Sequence, residues 1–181
     1  MRLQNDVRHY GLISMLLHWV VALVVVVTFG LGLWMVELTY YDPWYNKAPW
    51  VHKGIGALLF LVVVVRIAWR RISPLPLPLS SHAVWECLVA KLVHYLLYLV
   101  MLLTMVSGYL ISTADGRALP VFGIIELPAL ISGVDQQAEI AGKIHFVLAC
   151  TLIGLAILHM LAALKHHFLD QDRTLLRMLG R

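Results

Sequence analysis

The stretch AGKIHFVLACTLIGLAILHMLAAL, Ala141–Leu164, decides the fold. It carries one charged residue, Lys143, and two histidines. Its length meets the roughly 20 apolar residues that a helix needs to cross a bilayer. It lacks the apolar–polar alternation of a barrel strand. Three more stretches read the same way, at about 13–36, 50–70 and 88–111. Pro is absent from all four interiors, and the breaks between them are marked. Asp42-Pro43 and Pro49 punctuate the first connection. The run Ser73-Pro74-Leu75-Pro76-Leu77-Pro78 makes the second an extended linker. The third, 112–140, holds Gly116, Pro120, Gly123, Pro128 and Gly133 and is long enough to fold into a cap on the outer side.

Composition agrees. The 181 residues are 61% hydrophobic and 13% charged, with a mean hydropathy of +0.83. A soluble domain carries about 25% charged residues, so this chain has more apolar surface than its own interior can hide, and membrane lipid is its natural solvent. The expectation is an all-α integral membrane four-helix bundle, one membrane domain over 1–181. The first span is too long for a signal peptide, and Trp34, Met35 and Tyr40 follow it where a small-residue cleavage site would stand. It is expected to be retained. Cys87 and Cys150 form no CxxC or CxxCH, which argues against a zinc ribbon, a redox dithiol and covalent haem attachment. They read as small buried hydrophobes.

The net charge of +4 does not point to nucleic acid, because the basic residues flank apolar segments and form no recognition motif. They set topology instead. One side holds Arg2, Arg8, Arg66, Arg70, Arg71, Lys91, Lys165, Arg173, Arg177 and Arg181 against Asp6, Glu86, Asp170 and Asp172, a net +6. The other holds Lys47, Lys53, Arg117 and Lys143 against six acids, a net −2. The positive-inside rule then places both termini in the cytoplasm. Trp19, Trp34, Trp44, Trp50 and Trp69 fall near span ends, as interfacial anchors do.

Ionisable residues inside a membrane are costly and point to function. Five of the nine histidines lie within spans: His18, His52, His94, His145 and His159. His145 and His159 are 14 residues apart on one helix. That spacing falls about 40° short of four full turns, so both project from one face, roughly 21 Å apart along the axis. His52 is level with His145, and His18 with His159. Two stacked imidazole pairs can each clamp a haem iron from both sides, and six-coordinate iron favours electron transfer over oxygen binding. Gly30, Gly32, Gly54, Gly56, Gly108 and Gly154 permit close packing within the spans. Lys53 and Lys143 beside the outer pair, and Arg70, Arg71 and Lys165 on the inner side, are placed to meet haem propionates or a substrate. His94 shares the inner depth with a pair already formed and reads as a structural or propionate partner. His9, His82, His166 and His167 read as solvated or close to propionates.

These residues carry a resemblance. Leu17-His18-Trp19, His52-Lys53-Gly54-Ile55-Gly56, Lys91-Leu92-Val93-His94-Tyr95, Ser107-Gly108-Tyr109, Leu158-His159 and Ala162-Ala163-Leu164-Lys165-His166-His167-Phe168, followed by Asp172 and Leu175 to Met178, stand in the order of the bacterial cytochrome b561 family of di-haem membrane cytochromes. The chain resembles that family from about Tyr10 to Gly180. The resemblance implies two non-covalent haem b per chain, axial ligands at His18, His52, His145 and His159, a bacterial inner membrane and electron exchange with quinone. Some members oxidise superoxide at the outer face and reduce ubiquinone. The chain departs from the pattern at Lys143-Ile144-His145-Phe146, where many relatives have an acidic residue and a Trp.

Three functions are therefore open. The first is a self-contained carrier, with superoxide as one donor, which would make it a superoxide:ubiquinone oxidoreductase. The second is an anchor subunit joining a periplasmic redox protein of hydrogenase or formate dehydrogenase type to the quinone pool. The third, a transporter, is disfavoured because no Asp or Glu lies in mid-span and the helices are unbroken.

Overall fold

The computed structural model describes residues 2–79 and 82–180. Four long helices dominate: α1 (Leu12–Val36), α2 (Lys47–Ile72), α3 (Val84–Ser112) and α4 (Gln137–Phe168). A hairpin of β1 (Leu119–Val121) and β2 (Ile125–Leu127) lies between α3 and α4, and a short α5 (Thr174–Met178) follows α4. The fold is all-α in character, and all four long helices have the length and composition to cross a membrane. Most of their apolar side chains face outward: Leu23, Val26, Leu61, Val147 and Leu158 are each half exposed or more. In water such a surface would aggregate; in lipid it is the expected outer face.

The helices outrun the apolar windows read from the sequence. Polar ends account for this, because charged residues complement the helix dipole. Glu86 lies in the first turn of α3 and Glu139 in that of α4, while Lys165, His166 and His167 close α4. Glu86 Oε2 also accepts the backbone N–H of Ala83 at 3.0 Å, which satisfies a donor just ahead of the helix. Pro49, read as part of the first connection, instead sits in the first turn of α2, where a missing N–H costs little. Cys150, read as buried, is exposed, and Cys87 is intermediate.

The chain divides into two compact units, and each long helix contributes one part to each. The first unit is Val62–Tyr98 with the segments ending at Ala22 and starting at Gly154. Met15, Val21 and Val63 are buried in it. Asn5 ties its N-terminal segment down: its Nδ2 donates to the carbonyls of Ser73 (3.0 Å) and Pro74 (3.2 Å), and its Oδ1 accepts the Gly11 N–H at 2.8 Å. Two tryptophans read as interfacial anchors are hydrogen-bonded here, Trp19 to the Met178 carbonyl at 2.9 Å and Trp69 to Ser14 Oγ at 3.1 Å.

The second unit is Leu23–Leu61 with Leu99–Ile153. Val25, Ala48, Leu59, Val100, Met101, Leu119, Val121, Ala141 and Leu152 are buried in it. The connection expected to fold as a cap contains the antiparallel hairpin, in which Leu119 pairs Leu127 and Val121 pairs Ile125. Its turn needs two left-handed residues, Phe122 (φ 51°) and Gly123 (φ 71°). Glycine adopts this freely and phenylalanine does not. Packing compensates: the Phe122 ring meets the Trp50 ring edge-on at 5.2 Å and lies over Gly54, where a Cβ would come within 2.6 Å of it. Tyr109 holds the following loop, donating to the Pro128 carbonyl at 2.6 Å and accepting the Leu130 N–H at 2.8 Å.

Candidate haem sites

In the second unit, α2 brings His52 and α4 brings His145 face to face, with ring centres 6.1 Å apart and planes at 77°. Two metal–imidazole bonds of about 2.0 Å each, added to the distance from each nitrogen to its ring centre, come to about 6.3 Å. The separation would admit one metal ion between the two rings. The hydrogen bonds of His145 prepare it for this. Its Nδ1 lies 2.8 Å from the Thr104 carbonyl, which can only accept, so Nδ1 carries the proton and Nε2 keeps its lone pair. Ser107 Oγ, itself donating to the same carbonyl at 2.8 Å, lies 3.1 Å from Nδ1. Thr104 and Ser107 thus set the tautomer of His145 in the way that outer-sphere groups do.

His52 Nδ1 is buried beside the Thr28 backbone with no well-formed hydrogen bond. The glycines read as permissive now separate. A Cβ on Gly32 would stand 3.3 Å from His52 Cε1, and one on Gly108 3.0 Å from His145 Cε1. Both helices can hold an imidazole this close only because those positions lack side chains. Gly54 serves Phe122, while Gly30, Gly56 and Gly154 have nothing within 4 Å of the added atom.

In the first unit, α1 brings His18 and α4 brings His159, with ring centres 6.2 Å apart and planes at 74°. His94 of α3 lies closer to His159, at 5.0 Å. That is too short to admit a metal ion between the rings, whereas the 6.2 Å between His18 and His159 would admit one. Arg66 and Tyr98, which the sequence reading did not single out, join Arg70 beside this pair. Arg66 Nη2 donates to His18 Nδ1 at 2.8 Å. The Arg66 and Arg70 guanidiniums lie 5.4 and 5.3 Å from the centre of the Tyr98 ring, within cation–π range. The Tyr98 hydroxyl is buried without a partner. Two guanidiniums and an unpaired phenol form a donor set for a carboxylate. Arg66 was visible in the sequence as one basic residue near the end of a span; its contact with His18 depends on two helices meeting. Ahead of α1, burial pushes the Tyr10 phenol above its ordinary pKa, against the pull of Arg177, whose guanidinium lies 5.8 Å from its ring centre.

The other candidate cations are placed as follows. Arg70 is in this cluster, over the Tyr98 ring. Arg71 is exposed. Lys165 is engaged by carboxylates, Glu86 at 2.8 Å and Asp170 at 2.6 Å. Lys53 is exposed, and Lys143 pairs with Glu139 at 2.7 Å. His82 and His166, read as solvated or close to propionates, instead meet each other and Asp172.

The comparisons with known proteins agree with this chemistry. The family model for prokaryotic cytochrome b561 matches residues 9–181. The chain is 49% identical over 181 residues to cytochrome b561 homolog 2 of Escherichia coli (strain K12), covering 100% of this chain and 96% of the relative. It is 27% identical over 177 residues to the probable superoxide oxidase CybB of Yersinia pestis, covering 96% and 97%. It is also 26% identical over 169 residues to cytochrome b561 homolog 1 of Escherichia coli (strain K12), covering 91% and 93%.

Proposed function

The chain belongs to the prokaryotic cytochrome b561 family, and from that premise we propose that it is a transmembrane di-haem b electron carrier serving the quinone pool of a bacterial inner membrane. The family implies haem b and a multi-pass membrane protein. Our reading adds that there are two haems, one between His52 and His145 and one between His18 and His159. It also places both termini in the cytoplasm, from the distribution of basic residues. The observation that carries the reading is the pair of ring separations, 6.1 and 6.2 Å, each matched to one metal ion.

Haem held by these histidine pairs would supply one-electron redox chemistry. The chain's own work is positional. The Thr104 carbonyl holds the proton on His145 Nδ1 and so presents Nε2 as the ligand atom. Gly32 and Gly108 let the rings sit against their helices. For His18 to present Nε2 in the same way, its Nδ1 must exchange the Arg66 donor for an acceptor. That exchange frees the guanidinium, which with Arg70 and the Tyr98 hydroxyl would hold the propionates. Quinone is assigned to the same end of the chain, near His94 and His159.

Superoxide is the donor favoured by the similarity to the probable superoxide oxidase of Yersinia pestis. An anion arriving at the other face would be steered by Lys53, because Lys143 is neutralised by Glu139. The test is a reduced-minus-oxidised spectrum of the purified protein, with haem and protein quantified on one sample. Two haem b per chain and superoxide-dependent reduction of a soluble quinone are expected. One haem or none would overturn the ligand assignment. Inactivity alone, with co-purification of a soluble redox enzyme, would replace the carrier reading by the anchor-subunit one.

A further inference from the structure

We propose that the β1–β2 hairpin is a membrane-surface element, which rests an apolar overhang among phospholipid headgroups at the end of α2 that carries His52. The register defines the overhang. Leu119 stands opposite Leu127, Pro120 opposite Glu126 and Val121 opposite Ile125. Directly opposed residues lie on one face of a ladder, and successive residues alternate between faces. Leu119, Val121, Ile125 and Leu127 therefore share one face, and Pro120 and Glu126 the other. Only half of the apolar face is packed. Leu119 and Val121 are buried, whereas Ile125 and Leu127 are 58% and 37% exposed, and Ile124 in the turn is 85% exposed.

Two observations select lipid as what meets the overhang. First, the turn is fastened to an aromatic at a span end. Phe122 meets the Trp50 ring edge-on at 5.2 Å, and Trp50, in the first turn of α2, is 44% exposed. Tryptophan at a span end marks the headgroup level, and Ile124 and Ile125 follow Phe122 closely. Second, the exposed apolar surface continues along the chain through Leu130 and Ile131 to Ile140 and Ile144 of α4, a helix long and apolar enough to cross a membrane. The backbone sets the depth. Among the described residues β2 pairs with β1 alone, so one of its edges keeps unpaired N–H and C=O groups. Open edges need water and do not occur in hydrocarbon. Apolar side chains in lipid beneath a wet backbone describe an interfacial element, whose apolar face sinks about 5–10 Å into the headgroup–acyl boundary. Glu126, on the opposite face, stays in water. Phe122 also lies over Gly54, so the same contact braces the helix end that holds His52.

The test is nitroxide labelling of the haem-loaded full chain in vesicles of phosphatidylethanolamine and phosphatidylglycerol. Cys87→Ser and Cys150→Ser remove the two free cysteines. Ile124→Cys, Ile125→Cys and Glu126→Cys then carry the label one at a time, and the haem spectrum reports whether each protein folds. Collisions with oxygen, which partitions into lipid, are compared with collisions with a water-soluble nickel chelate. Labels at 124 and 125 should favour oxygen, at a depth of about 5–10 Å, and the label at 126 should favour the chelate. Equal chelate access at all three positions would overturn the proposal. Shielding of 124 and 125 from both reagents would overturn it too, because a second copy of the chain or another protein would then cover the overhang. Unmodified protein gives an independent reading. A phospholipid with a photoactivated diazirine near its headgroup should cross-link to the peptide holding Ile124 and Ile125. Adducts on α4 without any on that peptide would refute the contact even where a labelled variant fails to fold.

Discussion

Replacing Gly108 with alanine tests the His52–His145 site most directly. The added Cβ would stand 3.0 Å from His145 Cε1 and 3.3 Å from Nδ1, where ordinary contact begins at 3.4 Å. The ring must therefore retreat by about 0.4 Å, whereas metal–ligand distances tolerate about 0.2 Å. It cannot retreat freely, because its Nδ1 is held by the Thr104 carbonyl at 2.8 Å and lies against the buried Ser107. Overpacking of this kind costs about 1–3 kcal/mol, which is roughly a 5- to 150-fold loss of affinity for the haem between His52 and His145. Gly30→Ala, with nothing within 4 Å of its added atom, is the control. Haemin titration of the apoprotein, followed by redox titration, is the assay. Gly108→Ala should bind one haem normally and the other weakly, or with an altered midpoint potential. A Gly108→Ala protein matching Gly30→Ala in haem content, affinity and both potentials would show that the glycine does not seat the ligand.

His18→Ala or His159→Ala should each remove one haem, and His52→Ala or His145→Ala the other, while His94→Ala keeps both; the haem-to-protein ratio decides, and loss of a haem in His94→Ala would contradict the 5.0 Å argument. Arg66→Met should lower the midpoint potential of the His18–His159 haem, because a nearby cation favours the reduced iron; an unchanged potential would count against Arg66 as a neighbour of that site. Asn5→Ala removes three side-chain hydrogen bonds that join the N-terminal segment to Ser73, Pro74 and Gly11, at about 1–3 kcal/mol. A lower Tm, read from haem absorbance in detergent, is expected. Backbone N–H groups of Arg8 and His9 hold the Asp6 carboxyl below its ordinary value of 3.8. The stability this confers is complete above that pH and is lost as pH falls through the lower folded value, so Asp6→Asn should flatten the acid limb of the stability profile below about pH 4.

The parts of this structure that were legible in the sequence are those written in one segment. An apolar run declares a span, and a 14-residue interval places His145 and His159 on one face without knowledge of any neighbour. The helix ends were less legible, because hydropathy fades where capping takes over: Gln137 opens α4 by donating to the carbonyls of Leu110 and Ile131, and Glu86 supports the start of α3. The hairpin escaped because its turn depends on Phe122 in a left-handed conformation, which no propensity suggests and which Trp50 and Gly54 stabilise. Arg66 and the His82–His166–Asp172 cluster were hidden for a related reason. Each is made by segments far apart in the chain, and a histidine near a span end looks the same whether water or another imidazole faces it.

The surroundings of the two histidine pairs also suggest a direction for the electrons. Around His52 and His145 the close partners are neutral: a carbonyl, a hydroxyl and two glycines. Around His18 and His159 there are two guanidiniums, Arg66 beside the His18 ring and Arg70 on Tyr98. Ferrous haem carries one positive charge fewer than ferric haem, so cations stabilise it preferentially, more so in a medium of low dielectric. Propionates held by those guanidiniums would reduce this bias. Were both pairs to hold haem as proposed, this bias would carry the electron from the His52–His145 haem to the His18–His159 haem, the direction required if an anionic donor meets the net-negative face and quinone is reduced at the face rich in arginine.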